Sequence, residues 1–327
     1  MKPILHSMLL STFSYAPFGR MMHSRLNLAL WTSLSIAVGL ISCSLTANAA
    51  NKLGAEVEAG LEYDSNLAVV ELDQYTSRGD WALLANLRLN AQWQATPKAV
   101  FKAGASYNSK TYQELSAFDL DIQQVFADAS YELPLFKLGL SYHQADAALD
   151  GTDFLTLRQH SVYLSRLFNQ RTFVRGAVNY QEKEFPTSPE RNAHNLGMAG
   201  DVFVFFRQGK TFLTLGVVHE QEDAASAAFD LTATSLKTAI NHQFPAWGKT
   251  TNLQLGWRYE QRDYSGITPA IKAKRDDSRQ VLNLEWQIHS HDWLTWVTKL
   301  EAGDYQSNLS SADYTETRAS LMLKARF

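Results

Sequence analysis

Cysteine is nearly missing: the 327 residues contain one, Cys43. It lies within the first fifty residues, which read as an export signal. The chain beyond them has no thiol for a disulfide or a thiolate metal site. An excess of charge of one sign is missing too. Thirty Lys and Arg face 33 Asp and Glu, for a net charge of −3, which excludes the basic footprint of a nucleic-acid binder. No apolar run beyond residue 50 reaches the roughly 18 residues that a membrane helix needs. The mean hydropathy of −0.24 is also too low for a helical membrane protein. A chain of this kind enters a membrane only as a closed barrel, because lipid offers no partner for open strand edges.

Arg20, His23 and Arg25 precede an apolar stretch over residues 26–43, and Ala47-Asn48-Ala49-Ala50 follows. A basic flank, an apolar core and an A-x-A site make a secretory signal. Residues 1–50 are therefore expected to be a signal peptide and 51–327 the mature domain. The stretch carries Asn27, Thr32, Ser33 and Ser35 and is short for a membrane anchor. The twenty residues before Met21 fit no basic leader, so Met21 or Met22 is an alternative start. Leu40-Ile41-Ser42-Cys43 also has the form of a lipobox, which makes lipid on Cys43 the competing outcome, although the better cleavage site follows it.

From Lys52 onward the apolar period is two. Ala55, Val57, Ala59, Leu61 and Tyr63 alternate with Glu56, Glu58, Gly60, Glu62 and Asp64. Trp81, Leu83, Ala85, Leu87 and Leu89 alternate with Asn86, Arg88 and Asn90, and Phe101, Ala103, Ala105 and Tyr107 with Lys102, Ser106 and Asn108. Such alternation lays one strand face in oil and the other in water. Further strands read near 124–133, 136–143, 158–167, 173–181, 196–206, 213–220, 236–244, 253–260, 280–288, 294–302 and 318–327, with ambiguous parity near 161–166. The count is about 14, an even number as single-chain bacterial barrels require. The fold class expected is an all-β, antiparallel, up-and-down transmembrane barrel integral to the bacterial outer membrane.

Short links follow the even strands, as at Asn169-Gln170. Polar links of roughly ten residues or more follow the odd ones, the asymmetry of outer-membrane barrels. Trp93, Tyr131, Phe136, Phe168, Phe173, Phe206, Phe212, Phe244, Trp247, Trp286 and Trp293 lie beside the short turns. Tyr63, Tyr107, Tyr142, Tyr180, Tyr259 and Tyr305 lie beside the long loops. Rings prefer the boundary of hydrocarbon and water, so two girdles in contact with lipid are expected.

Chemistry is sparse. His289, His291 and Asp292 occupy a turn, where polar residues are ordinary. His160 and Ser161 are strand neighbours and point to opposite faces. The expectation is no enzyme, no catalytic residue, no metal and no cofactor. The inward set mixes Glu56, Glu58, Glu62, Asp128, Glu132, Asp201 and Glu285 with Arg88, Lys102, Lys137, Arg175, Lys237, Arg258, Lys299, Arg318 and Lys324. No ring of one sign marks ion selectivity. No plug domain is read before the first strand, so the lumen is expected to be open or blocked only by infolded loops.

Gly60-Leu61-Glu62-Tyr63-Asp64-Ser65-Asn66 at the exit of the first strand, and the amphipathic last strand ending at Phe327, resemble the C-terminal barrel of the surface lipoprotein assembly modifiers. The resemblance covers about residues 52–327 and lacks the helical-repeat domain typical of that family. It implies delivery of surface lipoproteins, with a lipoprotein client as partner beside outer-membrane lipid. The terminal Phe327 resembles the signal read by the barrel assembly machinery. On this reading the first and last strands form a seam that parts, with Glu56, Glu58 and Glu62 facing Arg318, Lys324 and Arg326. A passive pore for small solutes is the alternative reading, and a structural or adhesive surface protein a third.

Overall fold

A computed structural model describes residues 52–327. The expected signal peptide, the alternative starts and Cys43 lie outside the described residues. The strands are β1 (Lys52–Asp64), β2 (Leu67–Val69), β3 (Gln74–Thr76), β4 (Asp80–Gln94), β5 (Ala99–Tyr112), β6 (Leu120–Glu132), β7 (Lys137–Leu149) and β8 (Thr152–Phe168). They continue as β9 (Thr172–Glu184), β10 (Ala193–Phe206), β11 (Thr211–Ala224), β12 (Leu231–Ala246), β13 (Lys249–Thr268), β14 (Ala273–His289), β15 (Leu294–Ser307) and β16 (Tyr314–Arg326). Fourteen of them close into one antiparallel barrel, each paired with its neighbours in sequence and β1 with β16. The remaining two, β2 and β3, form a small hairpin in the link after β1.

The period of two decides which side chains meet which medium. Leu87, Val125, Leu140, Val162, Leu215, Leu255 and Leu321 stand exposed on the outer wall. Their chain neighbours Asn86, Gln124, Ser141, Ser320 and Met322 line the interior. The ambiguous stretch of β8 resolves the same way: Val162 and Leu164 face out, while Ser161, Tyr163 and Ser165 are buried inside. Inward Tyr163 and outward Arg166 had blurred the alternation there.

The link asymmetry takes a different form from the one the sequence implies. At the turn end the links are 95–98, 133–136, 169–171, 207–210, 247–248 and 290–293. At the loop end, β7 and β8 meet across residues 150–151 alone, and β13 and β14 across 269–272. What read as long loops are mostly strand extensions. Beyond the oily band both faces of a hairpin are wet, so its alternation fades while its backbone ladder continues. Asp150-Gly151 and Trp247-Gly248 turn at positive φ, as tight hairpins require.

Two aromatic belts ring the wall, with corrections. Tyr63 packs on Trp81 at 5.3 Å near the loop end, and Trp93 on Phe101 at 5.3 Å near the turn end. Phe173, Phe203 and Phe205 are buried together on the inner face with Phe212 against them, and Tyr305 is buried inside as well. Phe173, Phe212 and Tyr305 therefore do not belong to the girdles. They share parity with inward Arg175, Thr214 and Lys299, and parity outranks proximity to a strand end.

Candidate functional site: a capped lumen

The interior holds a cavity of about 950 Å³ lined by β1, β4 to β9 and β13 to β16. The wall of β9 to β11 near the turn end is filled by the phenylalanine cluster. The cavity wall carries both signs together with amides and hydroxyls, including Lys102, Asp128, Arg175, Glu285, Asn86 and Gln124.

The loop end is capped from within. Residues 65–79 turn back into the mouth, carrying β2 and β3. Leu67 and Val69 are wholly buried. Val69 packs with Leu120, Ile122, Ala147 and Phe154, and Leu67 with Ala82 and Tyr112, all from the barrel wall. The tip turns at Asp73, whose φ is 54°, and meets cations from other parts of the rim. Arg191 donates to the Asp73 carboxylate at 2.7 Å and to the Glu71 carbonyl at 3.0 Å. Arg275 donates to the other Asp73 oxygen at 2.9 Å and also pairs with Asp277 at 2.7 Å. Glu71 lies 3.6 Å from Lys183. Finally, Tyr75 stacks on Tyr314 at 5.3 Å, and Tyr314 on Tyr305 at 4.5 Å. The loop thus crosses the mouth, held by oil on one side and by charge and rings on the other.

The two acids of the tip are tuned by these partners. The charge of Lys183 holds the Glu71 carboxyl below its ordinary pKa against the cost of burial. Burial pushes the Asp73 carboxyl up, but hydrogen bonds and charge from Arg275 and Arg191 outweigh it and leave the pKa lowered.

The residues expected at the seam are placed as follows. Glu56 pairs in register with Arg326 and Glu58 with Lys324, with ion pairs at 3.2 and 2.5 Å. Glu62 departs from the expectation. Ser320 stands opposite it, and its carboxylate meets Lys110 of β5 at 2.7 Å. Ala82 of β4 stands opposite Glu62, and Leu84, two residues further on, stands opposite Lys110, so the contact runs diagonally across β4. Arg318 meets Asp64 at 3.5 Å, Glu301 at 3.1 Å, and Glu316. Phe327 is exposed, and its backbone pairs with Ala55 at the seam. The seam has nine register pairs; every other strand interface in the barrel has twelve or more. Gly60 sits at its centre, where a Cβ would fall 2.2 Å from the Leu321 carbonyl, so the close approach of backbones requires glycine. His160 is exposed on the outer wall and Ser161 buried inside. His289 bonds Thr295 at 2.9 Å and Asn252 at 2.9 Å.

No family model and no curated protein sequence matches the chain. Solved structures do. The trimer form of OmpT, an outer membrane protein of Vibrio cholerae folded in vitro, superposes with TM-score 0.52 at 7% identity, covering 86% of this chain and all of that one. The anion-selective porin from Comamonas acidovorans gives TM-score 0.52 at 10% identity, with the same coverage of 86% and 100%. OmpT expressed in the outer membrane gives 0.50 at 8%, covering 86% of this chain and 99% of that one. At such identities the likeness is one of fold, and the fold is that of bacterial outer-membrane barrels.

Proposed function

We propose that the chain is a non-enzymatic solute channel of the bacterial outer membrane whose outer mouth is shut by its own first loop. The carrying observation is the polar, two-signed cavity of about 950 Å³ beneath a loop latched through Asp73. A structural barrel has no need of an internal space, and a permanently open pore has no need of a latch. Lumen charges of both signs suit small polar solutes without strong ion selectivity. Planar-bilayer recording tests the reading. The intact barrel should open rarely, and Asp73→Ala should raise the open time and the conductance. A barrel that stays silent in both forms is no channel.

A second reading keeps one observation on its side. The β1–β16 interface is the shortest in the barrel. A seam that parts would suit delivery of surface lipoproteins, the activity implied by the resemblance to the surface lipoprotein assembly modifiers. Loss of a specific lipoprotein from the cell surface on deletion of the gene is its test. Insertion by the barrel assembly machinery through Phe327 belongs to either reading.

A further inference from the structure

Two inward aromatic rings lie across glycines of the neighbouring strand. A Cβ on Gly104 would fall 2.3 Å from the Phe126 ring, and one on Gly139 would fall 2.1 Å from the Tyr163 ring. The absent side chains leave beds in which the rings rest against the wall rather than across the lumen. Phe126 packs with His143 at 5.8 Å and 19° from parallel. The Tyr163 hydroxyl donates to Asp128 at 2.8 Å, and the Arg175 guanidinium lies 4.4 Å over the Tyr163 ring. Register places Lys102, Asp128 and Ser141 side by side on β5, β6 and β7, one step from Phe126 and His143. All of these side chains line the cavity. Ser141, 8% exposed, directs at this patch a buried hydroxyl with no hydrogen-bond partner.

Each component narrows the ligand. The near-parallel rings of Phe126 and His143 on the cavity wall suit a rigid ring with an apolar face. The surrounding groups mix donors with an acceptor, and the Asp128 carboxylate between Lys102 and Ser141 opposes an anion there. Asp128 accepts, Arg175 and Lys102 donate, and Gln124, Ser106 and Ser141 do both. That mixture matches a ligand whose groups each donate and accept, which is to say hydroxyls. A hydroxyl or amide removed from water without a partner costs free energy, so a solute that offers hydroxyls at ring spacing satisfies the patch and itself. We infer that the β5–β9 wall of the lumen is a binding site for a neutral sugar, a hexopyranose ring stacked on Phe126 and His143 with its hydroxyls on Asp128, Ser141 and Gln124. The inference rests on the channel reading only for the solute's passage, because the site itself needs nothing but an accessible lumen.

Saturation-transfer NMR on the full chain in detergent tests it, with glucose, maltose and benzoate as probes. Both sugars should receive saturation and benzoate should not. Phe126→Ala should weaken sugar binding about tenfold, as loss of one good ring contact implies, and Phe126→Tyr should restore it. Ser141→Val should weaken it without changing barrel migration on unheated gels, which controls for folding. Absence of sugar signal, preference for benzoate, or equal binding in Phe126→Ala and the intact chain overturns the inference. Conductance of Asp73→Ala is recorded separately. A conducting barrel that binds no sugar refutes the sugar site alone, and a silent barrel that binds sugar refutes the channel alone.

Discussion

Leu87 and Asn86 are chain neighbours that meet different media. Leu87 is exposed on the outer wall; Asn86 donates to Glu58 at 3.3 Å inside the barrel. Leu255 and Gln254 stand in the same relation on β13. Arginine at Leu87 or Leu255 should therefore cost roughly 2–4 kcal/mol of stability in lipid, the penalty of a charge near mid-bilayer. Arginine at Asn86 or Gln254 should cost far less, because a cation there meets water and Glu58 or Glu285. Urea titration of barrels refolded in vesicles measures both, and equal costs on the two faces would refute the assignment of oil to the outside. This face-by-face assignment is the part of the fold most legible in the sequence, since a period of two is hard to mistake over ten residues. It failed at Phe173, Phe212 and Tyr305 because position near a strand end was weighed above parity. Phe173 is two residues from inward Arg175, and that spacing alone would have turned it inward.

At the scale of an element, the first loop holds the most consequence and was the least legible. Its composition is polar enough to pass for an exposed link, yet Leu67, Val69 and Leu72 recur through it and pack inside. Apolar residues within a supposed loop were the available signal. Nothing in the sequence pairs Asp73 with Arg191 and Arg275, which lie 118 and 202 residues away. The latch should answer to acid in one direction. Both tip carboxyls have lowered pKa values in the closed state, so their contribution is fully present above the ordinary carboxylate range. It is lost as pH falls through the lowered values. Conductance should therefore stay flat from neutral pH down to about pH 4, the carboxylate range, and rise only below it. Opening near neutral pH would exclude these acids as the latch. Asp73→Ala and Arg275→Ala should each open the channel, and the double variant should open it hardly further, because removing one partner already breaks the buried pair. Full additivity in single-channel open probability would show that the two residues act apart.

At the scale of the whole molecule, the two readings of function divide on whether the barrel must break its ring. The sequence anticipated opposite charges at β1 and β16, and Glu58 with Lys324 lies at 2.5 Å. It could not anticipate Glu62 turning to Lys110, because that contact reaches diagonally across β4 to a third strand. Cross-strand ion pairs contribute roughly 0.2–1 kcal/mol each, so the charges at this seam set register more than they weld it. The first loop is tied to the same place. It leaves β1 through Ser65 and Asn66, which bond Thr317 and Thr315 of β16 at 2.9 and 2.5 Å. Parting the seam would pull on the cap, whereas releasing the cap through Asp73 need not part the seam. Cysteines at Val57 and Ala325, which are register partners, would lock the ring by a disulfide. In the channel reading, the locked barrel carrying Asp73→Ala should conduct like the unlocked one, before and after reduction. In the delivery reading, the lock should abolish surface exposure of the lipoprotein client, and reduction should restore it. A locked barrel that loses conductance until it is reduced would mean that the cap opens only with the seam, and the latch at Asp73 would then be a consequence of seam closure rather than its own gate.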